Sequence, residues 1–290
     1  MQHEQQIVLV TGASSGIGKA VAAEFAKSGD IVYGTSRHGD FQAAGEEGAR
    51  YEMIPLTLED EESVAAAVDY VLGRHGRIDV LVNAAGSGIA GAIEETTAEE
   101  AKVQFEVCYF GVIRVLNHVL PAMRAAGGGM VVNIGSMAAC FPIAFQGMYS
   151  AVKSALFMLT TTLRMEAKPF GIRACTVEPG DTKTGFTEKR AFTKQSRSSA
   201  YARQMERALY EMIRSELAAP GPELCAKTVL KVARMKNPPA RVSVGMSYKT
   251  LYLLAKLTSW RFKERILHMM YLSKDPPKDA VWTLEKQFKE

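Results

Sequence analysis

Tyr149 and Lys153 stand four residues apart in Tyr149-Ser150-Ala151-Val152-Lys153. The run reads as helix, so a phenol and an ammonium share one face. That pairing is a proton-transfer device. The ammonium favours phenolate over phenol, and two unit charges about 4 Å apart interact by ~4 kcal/mol at an effective dielectric of ~20. Stabilisation of this size would ready the Tyr149 hydroxyl for general acid–base work near neutral pH. Pairs at this spacing also decorate solvated helix faces, so this one takes its weight from the rest of the chain.

A second feature lies near the N-terminus. Ile7-Val8-Leu9-Val10 is a short apolar run of the kind that forms a buried strand. Thr11-Gly12-Ala13-Ser14-Ser15-Gly16-Ile17-Gly18 follows at once, and Ile17, Val21 and Phe25 then recur at helical spacing. Glycines between a strand and a helix let the backbone turn tightly and come close to a ligand, while free N–H groups of the first helical turn attract phosphate. The turn therefore reads as a pyrophosphate cradle, in the strand-to-helix setting that such a motif requires.

The elements that must position these groups alternate along the chain. Strand-like runs occur at Ile31 to Thr35, Tyr51 to Leu56, Val80 to Asn83, Met130 to Ile134, Arg173 to Val177 and Arg241 to Val244. Between them lie helical patterns, among them Val64, Val68, Val71 and Leu72 on one stripe, and a long helix from about Thr97 to Arg124. The helix carrying Tyr149 and Lys153 runs to about Lys168, where Pro169-Phe170-Gly171 breaks it. Such alternation predicts an α/β fold, a doubly wound parallel sheet of about seven strands with helices on both faces and ligands at the carboxyl ends of the strands. Neither an internal repeat nor a low-complexity linker interrupts it, so residues 1–290 are expected to form a single domain.

Composition bounds the partners. With 290 residues, 47% of them hydrophobic, the chain can bury one large core. The four cysteines, Cys108, Cys140, Cys175 and Cys225, contain no Cys-x-x-Cys pair, which suggests neither a disulfide framework nor a zinc site and fits a reducing compartment. Met1 to Gln6 leads straight into the first strand without the pattern of a secretory signal, and no apolar run reaches the ~18 residues of a membrane span. A cytoplasmic location without a metal or nucleic-acid partner is therefore expected. Net charge is +4 but unevenly placed: from Lys183 onward there are 22 Lys and Arg against 10 Asp and Glu. An anionic ligand or a lipid surface would explain that bias, as would dispersed solvated cations.

Thr11-Gly12-x3-Gly16-x-Gly18, Asn83-Ala84-Ala85-Gly86, Ser136, Tyr149-x3-Lys153 and Pro179-Gly180 together resemble, in order and spacing, the short-chain dehydrogenases/reductases. The later Gly221-Pro222-Glu223 and Pro239-Ala240-Arg241-Val242-Ser243-Val244-Gly245 look like the branch with 17β-hydroxysteroid and retinol dehydrogenase relatives. The resemblance implies a Rossmann-type sheet and hydride transfer between nicotinamide and a carbonyl or secondary alcohol, with Tyr149 exchanging the proton on oxygen. It further implies that Ser136 hydrogen-bonds the substrate oxygen and that Lys153 also bonds the nicotinamide ribose. By the same resemblance, Gly12, Ser14, Ser15, Gly16, Ile17 and Gly18 would hold the pyrophosphate. Asn83, Ala84, Ala85 and Gly86 would let the cofactor approach the strand end, and Pro179, Gly180 and Thr182 would border the nicotinamide.

Cofactor choice turns on Gly34-Thr35-Ser36-Arg37-His38. An acidic residue at the end of the second strand would bind the ribose 2′-hydroxyl of NAD, whereas an arginine can pair with the 2′-phosphate of NADP. Here Ser36 stands where relatives place the acid, and Arg37 offers a forked donor, so NADP(H) is expected. Two positions depart from the family pattern. Cys108 replaces the usual Asn of the long helix, which in relatives helps hold a relay water behind the lysine; a thiol should anchor water poorly. Thr57 replaces an Asp that contacts adenine, which should weaken cofactor binding. For Cys108 itself, flanked by Val107, Tyr109 and Phe110, burial is a better expectation than redox activity.

Beyond Thr184 the chain should supply the substrate lid, with a loop and helix over 185–220 and a helical extension over 246–290. The stretch from Tyr248 to Leu272 interleaves Leu, Met and aromatic residues with Lys249, Lys256, Arg261, Lys263 and Arg265. Phe262, Ile266 and Met269 or Met270 form a stripe that suits a helix over a greasy pocket, and equally peripheral contact with an anionic membrane. Either role indicates an apolar carbonyl or alcohol substrate, lipid-, steroid- or ketone-like. Two functions compete: an NADP(H)-dependent reductase or alcohol dehydrogenase (EC 1.1.1.-), and a cofactor-binding regulatory or scaffolding protein whose turnover was weakened by Cys108 and Thr57. Intact Ser136, Tyr149 and Lys153 favour the enzyme, and the resemblance implies a homodimer or homotetramer.

Overall fold

The first apolar run becomes β1 (Ile7–Thr11), buried along its whole length. The structure, a computed structural model, describes residues 5–38, 41–186, 189–273 and 275. After β1 the glycine-rich turn opens α1 (Gly16–Lys27), which leads to β2 (Ile31–Ser36), β3 (Gln42–Ala44) and β4 (Tyr51–Pro55). Next come α2 (Glu61–His75), β5 (Val80–Asn83), β6 (Ile89–Ala90), α3 (Ala98–Phe105), α4 (Gly111–Ala125) and β7 (Gly129–Ile134). The helix of the Tyr-Lys pair is α5 (Gly147–Glu166), followed by β8 (Ile172–Glu178), β9 (Ala191–Phe192), α6 (Ala202–Ala218), α7 (Glu223–Ala233) and β10 (Arg241–Ser243). Two helices close the described chain, α8 (Met246–Leu257) and α9 (Trp260–Leu272).

The main sheet has the order β10-β8-β7-β5-β1-β2-β4-β3. All neighbours pair in parallel except β3, which turns back antiparallel on β4. From β1 the chain winds one way through β2 and β4, then returns to the other side of β1 with β5 and continues outward. That reversal leaves a crevice beyond the carboxyl ends of β1 and β5, the switch point at which open α/β sheets bind ligands. One face of the sheet buries Leu9, Leu81 and Val131 with Val68 of α2, Val115 of α4 and Leu156 of α5. The other buries Val8, Val82 and Val132 with Phe25 of α1 and Val229 of α7.

The seven parallel strands are those expected, while β3 and the separate β6–β9 pair are additions too short to show a period in sequence. The long helix expected from Thr97 to Arg124 is divided. Thr97 starts α3 with a reciprocal capping box to Glu100, and a π-helical turn at Glu106–Phe110 separates it from α4. Gly111 explains the extra residue in part, because a Cβ there would lie 2.7 Å from Leu58 Cβ; the helix can approach β4's exit loop only at a glycine, and the wider turn delivers it there. The C-terminal stripe is likewise two helices. Ser259 caps the second by accepting from Phe262 N–H, and the part of the expected extension beyond residue 275 lies outside the described residues.

Candidate active site

The strand-to-helix turn must be glycine for reasons of space. Gly12 has φ +70°, and a Cβ on it would lie 2.6 Å from Ala85 Cα, while one on Gly18 would lie 2.2 Å from the Gly12 carbonyl oxygen. The Thr11 hydroxyl oxygen accepts from Ala84 N–H (3.1 Å) and Ala85 N–H (3.3 Å), drawing the loop after β5 against the turn. Ser15, at the N-cap of α1, makes no side-chain capping bond, so N–H groups of the first turn stay available to an anion. Bare backbone, a helix start and small neighbours form a cradle that side chains would fill, and its donor set suits a dinucleotide pyrophosphate. Lys189 adds a cation from across the cleft, its ammonium donating to Ser15 Oγ at 3.2 Å.

Tyr149 and Lys153 occupy the first two turns of α5. Lys153 is 5% exposed, its Nζ donates to the Ile134 carbonyl at 2.9 Å, and it lies 5.7 Å from the Tyr149 ring centroid. One of the three ammonium hydrogens is thus spent on the end of β7, which fixes the charge beneath the phenol. Ser136, in extended backbone just past β7, accepts from Ala138 N–H at 3.1 Å and caps the short turn Met137–Ala139. No acceptor among the described residues takes its own hydrogen, which can be donated to a ligand.

Asn83 is buried beneath this wall. Its Nδ2 donates to Asn133 Oδ1 (2.8 Å), Asn133 Nδ2 donates to Thr160 Oγ1 (2.8 Å), and Thr160 donates to the Leu156 carbonyl (2.7 Å). This relay of amides ties β5, β7 and α5 together, so it sets the depth at which Tyr149 and Lys153 sit. Cys108 does comparable work in the π turn. At 1% exposure, its sulfur accepts from Gln104 Nε2 at 3.2 Å and from Ser87 N–H at 3.5 Å. It is buried, as its apolar neighbours suggested.

The glycine turn, Ser136, Tyr149, Lys153 and Lys189 line one cavity of about 870 Å³. It runs from the glycine turn and Arg37, past Ala84, Ala85 and Gly86, to Ser136, Tyr149 and Lys153. Pro179, Gly180 and Thr182 line it beyond β8, and its far wall is apolar, with Met212, Leu251, Leu254 and Ile266. Thr57 does not line it; its N–H donates to Ser63 Oγ, and Leu56 and Leu58 present the surface at that edge.

Of the lining residues that were not foreseen, three bear directly on the site's geometry. Phe186 sets its ring 5.7 Å from that of Tyr149 and fits against Gly88, where a Cβ would lie 2.7 Å from its tip. Tyr248 covers Gly180, where a Cβ would lie 2.0 Å from its ring. The Tyr248 hydroxyl accepts from Asp181 N–H and donates to Asp181 Oδ2, both at 3.0 Å. Burial, with the Asp181 charge added, pushes this phenol up to about 12, so it stays a neutral strut at ordinary pH. The third is Lys189. The only sequence signals were a glycine at each strand end and a polar lid, which say that something packs there without saying what.

Behind the site, Glu178 at the end of β8 is fully buried with Arg241 Nε 3.0 Å from its carboxylate. The N–H direction misses a hydrogen bond, so the contact is ionic only. Arg241 is held by its other faces, stacked 3.7 Å over Phe157 with Nη1 donating to Cys140 Sγ at 2.8 Å. Burial pushes the Glu178 carboxyl up to about 7, against the opposing pull of Arg241. A folded value above the unfolded 4.5 means that the native state holds this proton longer. The stability it contributes is therefore complete below about pH 4.5 and lost as pH rises through about 7, by at most about 3 kcal/mol. Thermal unfolding of wild type and Glu178→Gln should accordingly diverge in favour of the variant as pH is raised from about 5 to about 8. Parallel profiles would mean that Glu178 is ionised throughout.

A family model described as short chain dehydrogenase matches residues 6–195. A 3-ketodihydrosphingosine reductase of Bacteroides thetaiotaomicron is 38% identical over 258 residues, 89% of this chain and 93% of that protein. The human 17-beta-hydroxysteroid dehydrogenase type 1 is 35% identical over 194 residues, 63% of this chain and 58% of its own. Among solved structures, a short-chain dehydrogenase from Streptomyces avermitilis superposes with a TM-score of 0.74 at 33% identity, covering 91% of this chain and 99% of that one.

Proposed function

This chain belongs to the short-chain dehydrogenase family of nicotinamide-dependent oxidoreductases, and from that premise we propose that it uses NADP(H) to interconvert a ketone and a secondary alcohol on an apolar, lipid-like molecule. The observation that carries the proposal is a single cavity in which Ser136, Tyr149 and Lys153 stand between a dinucleotide cradle and an apolar wall. A relative named for reduction of 3-ketodihydrosphingosine, similar over nearly its whole length, supports a long-chain substrate. NADP(H) is supported by Ser36 and Arg37 at the end of β2, both on the cavity wall.

When bound, the reduced cofactor supplies a hydride to the carbonyl carbon. Tyr149 gives its hydroxyl proton to the carbonyl oxygen, and the fixed ammonium of Lys153 stabilises the phenolate left behind. Ser136, whose lone pair is occupied by Ala138 N–H and whose hydrogen is free, donates to the same oxygen as negative charge gathers there. Lys153 has two hydrogens left after Ile134, one for a ribose hydroxyl and one for the water that returns the proton. Phe186 and Tyr248 screen the site from bulk solvent. The reverse sequence oxidises the alcohol.

The test is NADPH consumption with ketones of increasing chain length. Long-chain ketones should give the highest kcat/KM, and tight NADPH binding without turnover of any ketone would reject the enzyme in favour of a binding protein. The proton return path gives a second test. In the π turn Gly111 N–H reaches back five residues to the Glu106 carbonyl, and a turn widened in this way frees a carbonyl able to hold a water. Cys108→Asn adds an amide beside it and should raise kcat severalfold without altering NADPH affinity. Unchanged kcat would show that the thiol does not limit the relay.

A further inference from the structure

A lid over an apolar pocket needs one apolar face, turned inward. Helices α8 and α9 have two. On the cavity side lie Leu251, Leu254, Ile266 and Leu267. On the opposite side of α8 stand Met246, Leu253 and Leu257, at 75%, 61% and 86% exposure, and Trp260 follows at 64% as α9 begins. Positions 246, 253 and 257 fall on one stripe of α8, and Trp260 opens α9 just past the extended residues Thr258 and Ser259, so these side chains form an apolar ridge with no cover among the described residues.

The surroundings of the ridge are cationic. Between Met246 and Leu272 there are five Lys and Arg, Lys249, Lys256, Arg261, Lys263 and Arg265, against one carboxylate, Glu264. Two of the cations lie beside aromatic rings of the same pair of helices: Lys256 Nζ is 4.7 Å from the Tyr252 ring centroid, and Lys263 Nζ is 4.5 Å from that of Trp260. Apolar bodies with cationic heads beside them, on helices of 12 and 13 residues, match the geometry of a helix lying in a membrane interface. Neither helix is long enough to cross. A hydrophobic protein partner would fit the ridge but would not call for cations of one sign around it.

We propose that the α8–α9 pair is a membrane-docking surface that seats the ridge in the interface of an anionic bilayer, with the cavity mouth beside it. Leu254, Phe262 and Met270 line the cavity and are also more than half exposed, so the apolar surface is continuous from the ridge into the substrate site. The far end of the pair is moored to the body: Arg207 Nη1 donates to the Leu272 carbonyl at 3.3 Å, and Arg203 and Arg207 both pair with Asp275. The docking itself does not depend on the identity of the ketone.

Flotation of the purified protein with phosphatidylcholine vesicles, with and without phosphatidylglycerol, tests the proposal. Wild type should float with the anionic vesicles, and high salt should weaken that binding severalfold. Leu253→Asp with Leu257→Asp should lower the bound fraction at least about tenfold, with the circular dichroism spectrum and NADPH affinity of wild type retained. Should that variant fail to fold, Lys256→Glu with Arg261→Glu reads the same surface and should lose its preference for anionic vesicles. Failure of wild type to float, or equal flotation of a folded variant, would overturn the proposal. So would a wild-type dimer, seen by light scattering, that the Asp variant splits while neither protein binds vesicles, since the ridge would then be covered by a second copy.

Discussion

Tyr149→Phe should lower kcat for ketone reduction by about 10³-fold, the contribution expected of a positioned general acid, while NADPH affinity stays almost unchanged. The substitution removes one oxygen and keeps the ring that packs 5.7 Å from Phe186, so the wall of the cavity is preserved. Lys153 remains fixed by the Ile134 carbonyl, and the cradle at Gly12 to Gly18 lies on other elements, so the groups assigned to the cofactor are undisturbed. A fall in kcat with constant Kd for NADPH therefore isolates the proton transfer. If the Phe variant turned over within an order of magnitude of wild type, a different acid would have to serve the carbonyl oxygen. Ser136→Ala should fall less far, since it weakens charge stabilisation without removing the proton source; a loss larger than that of Tyr149→Phe would exchange the two roles.

The parts of this site that were legible in the sequence are those in which a backbone constraint forces a residue type. Gly12 and Gly18 are required by contacts of 2.6 and 2.2 Å that any Cβ would make, and a helix places residues four apart on one face, so cradle and Tyr-Lys pair could be found by spacing alone. The parallel strands could be found because both faces of the sheet are covered, which turns each strand into an unbroken apolar run such as Ile7-Val8-Leu9-Val10. What escaped detection depends on distant contacts. The divided helix at Glu106–Phe110 reflects the approach of Gly111 to Leu58, more than fifty positions away in sequence, and no local periodicity encodes it. Tyr248 reaches Gly180 across 68 positions, and the Asn83, Asn133 and Thr160 relay joins three elements whose residues look like unremarkable strand and helix polar groups. Asn83, expected in the cofactor loop, has its side chain buried below the wall with Nδ2 donating to Asn133, a contact no local pattern announces.

Ser36→Asp should reverse the cofactor preference. The end of β2 is held in place by Ala13 N–H, which donates to the Thr35 carbonyl at 2.9 Å, so a side chain at position 36 cannot retreat from the glycine turn without breaking that bond. A carboxylate there would lie beside the 2′-phosphate of NADPH, and like charges about 4 Å apart repel by ~4 kcal/mol at an effective dielectric of ~20, or about 10³-fold in affinity. With NADH the same carboxylate accepts from the 2′-hydroxyl, so binding should improve. Arg37→Ala separates the attractive half of the effect: losing a charge-assisted bond worth roughly 1.5–3 kcal/mol should weaken NADPH about 10- to 100-fold and leave NADH unchanged. Kd values for both cofactors, measured by fluorescence titration on the two variants, check the assignment without requiring the substrate. If both variants keep the wild-type ratio of NADPH to NADH affinity, the 2′-phosphate does not meet the end of β2, and the choice of NADP(H) fails even if the Tyr149 chemistry stands.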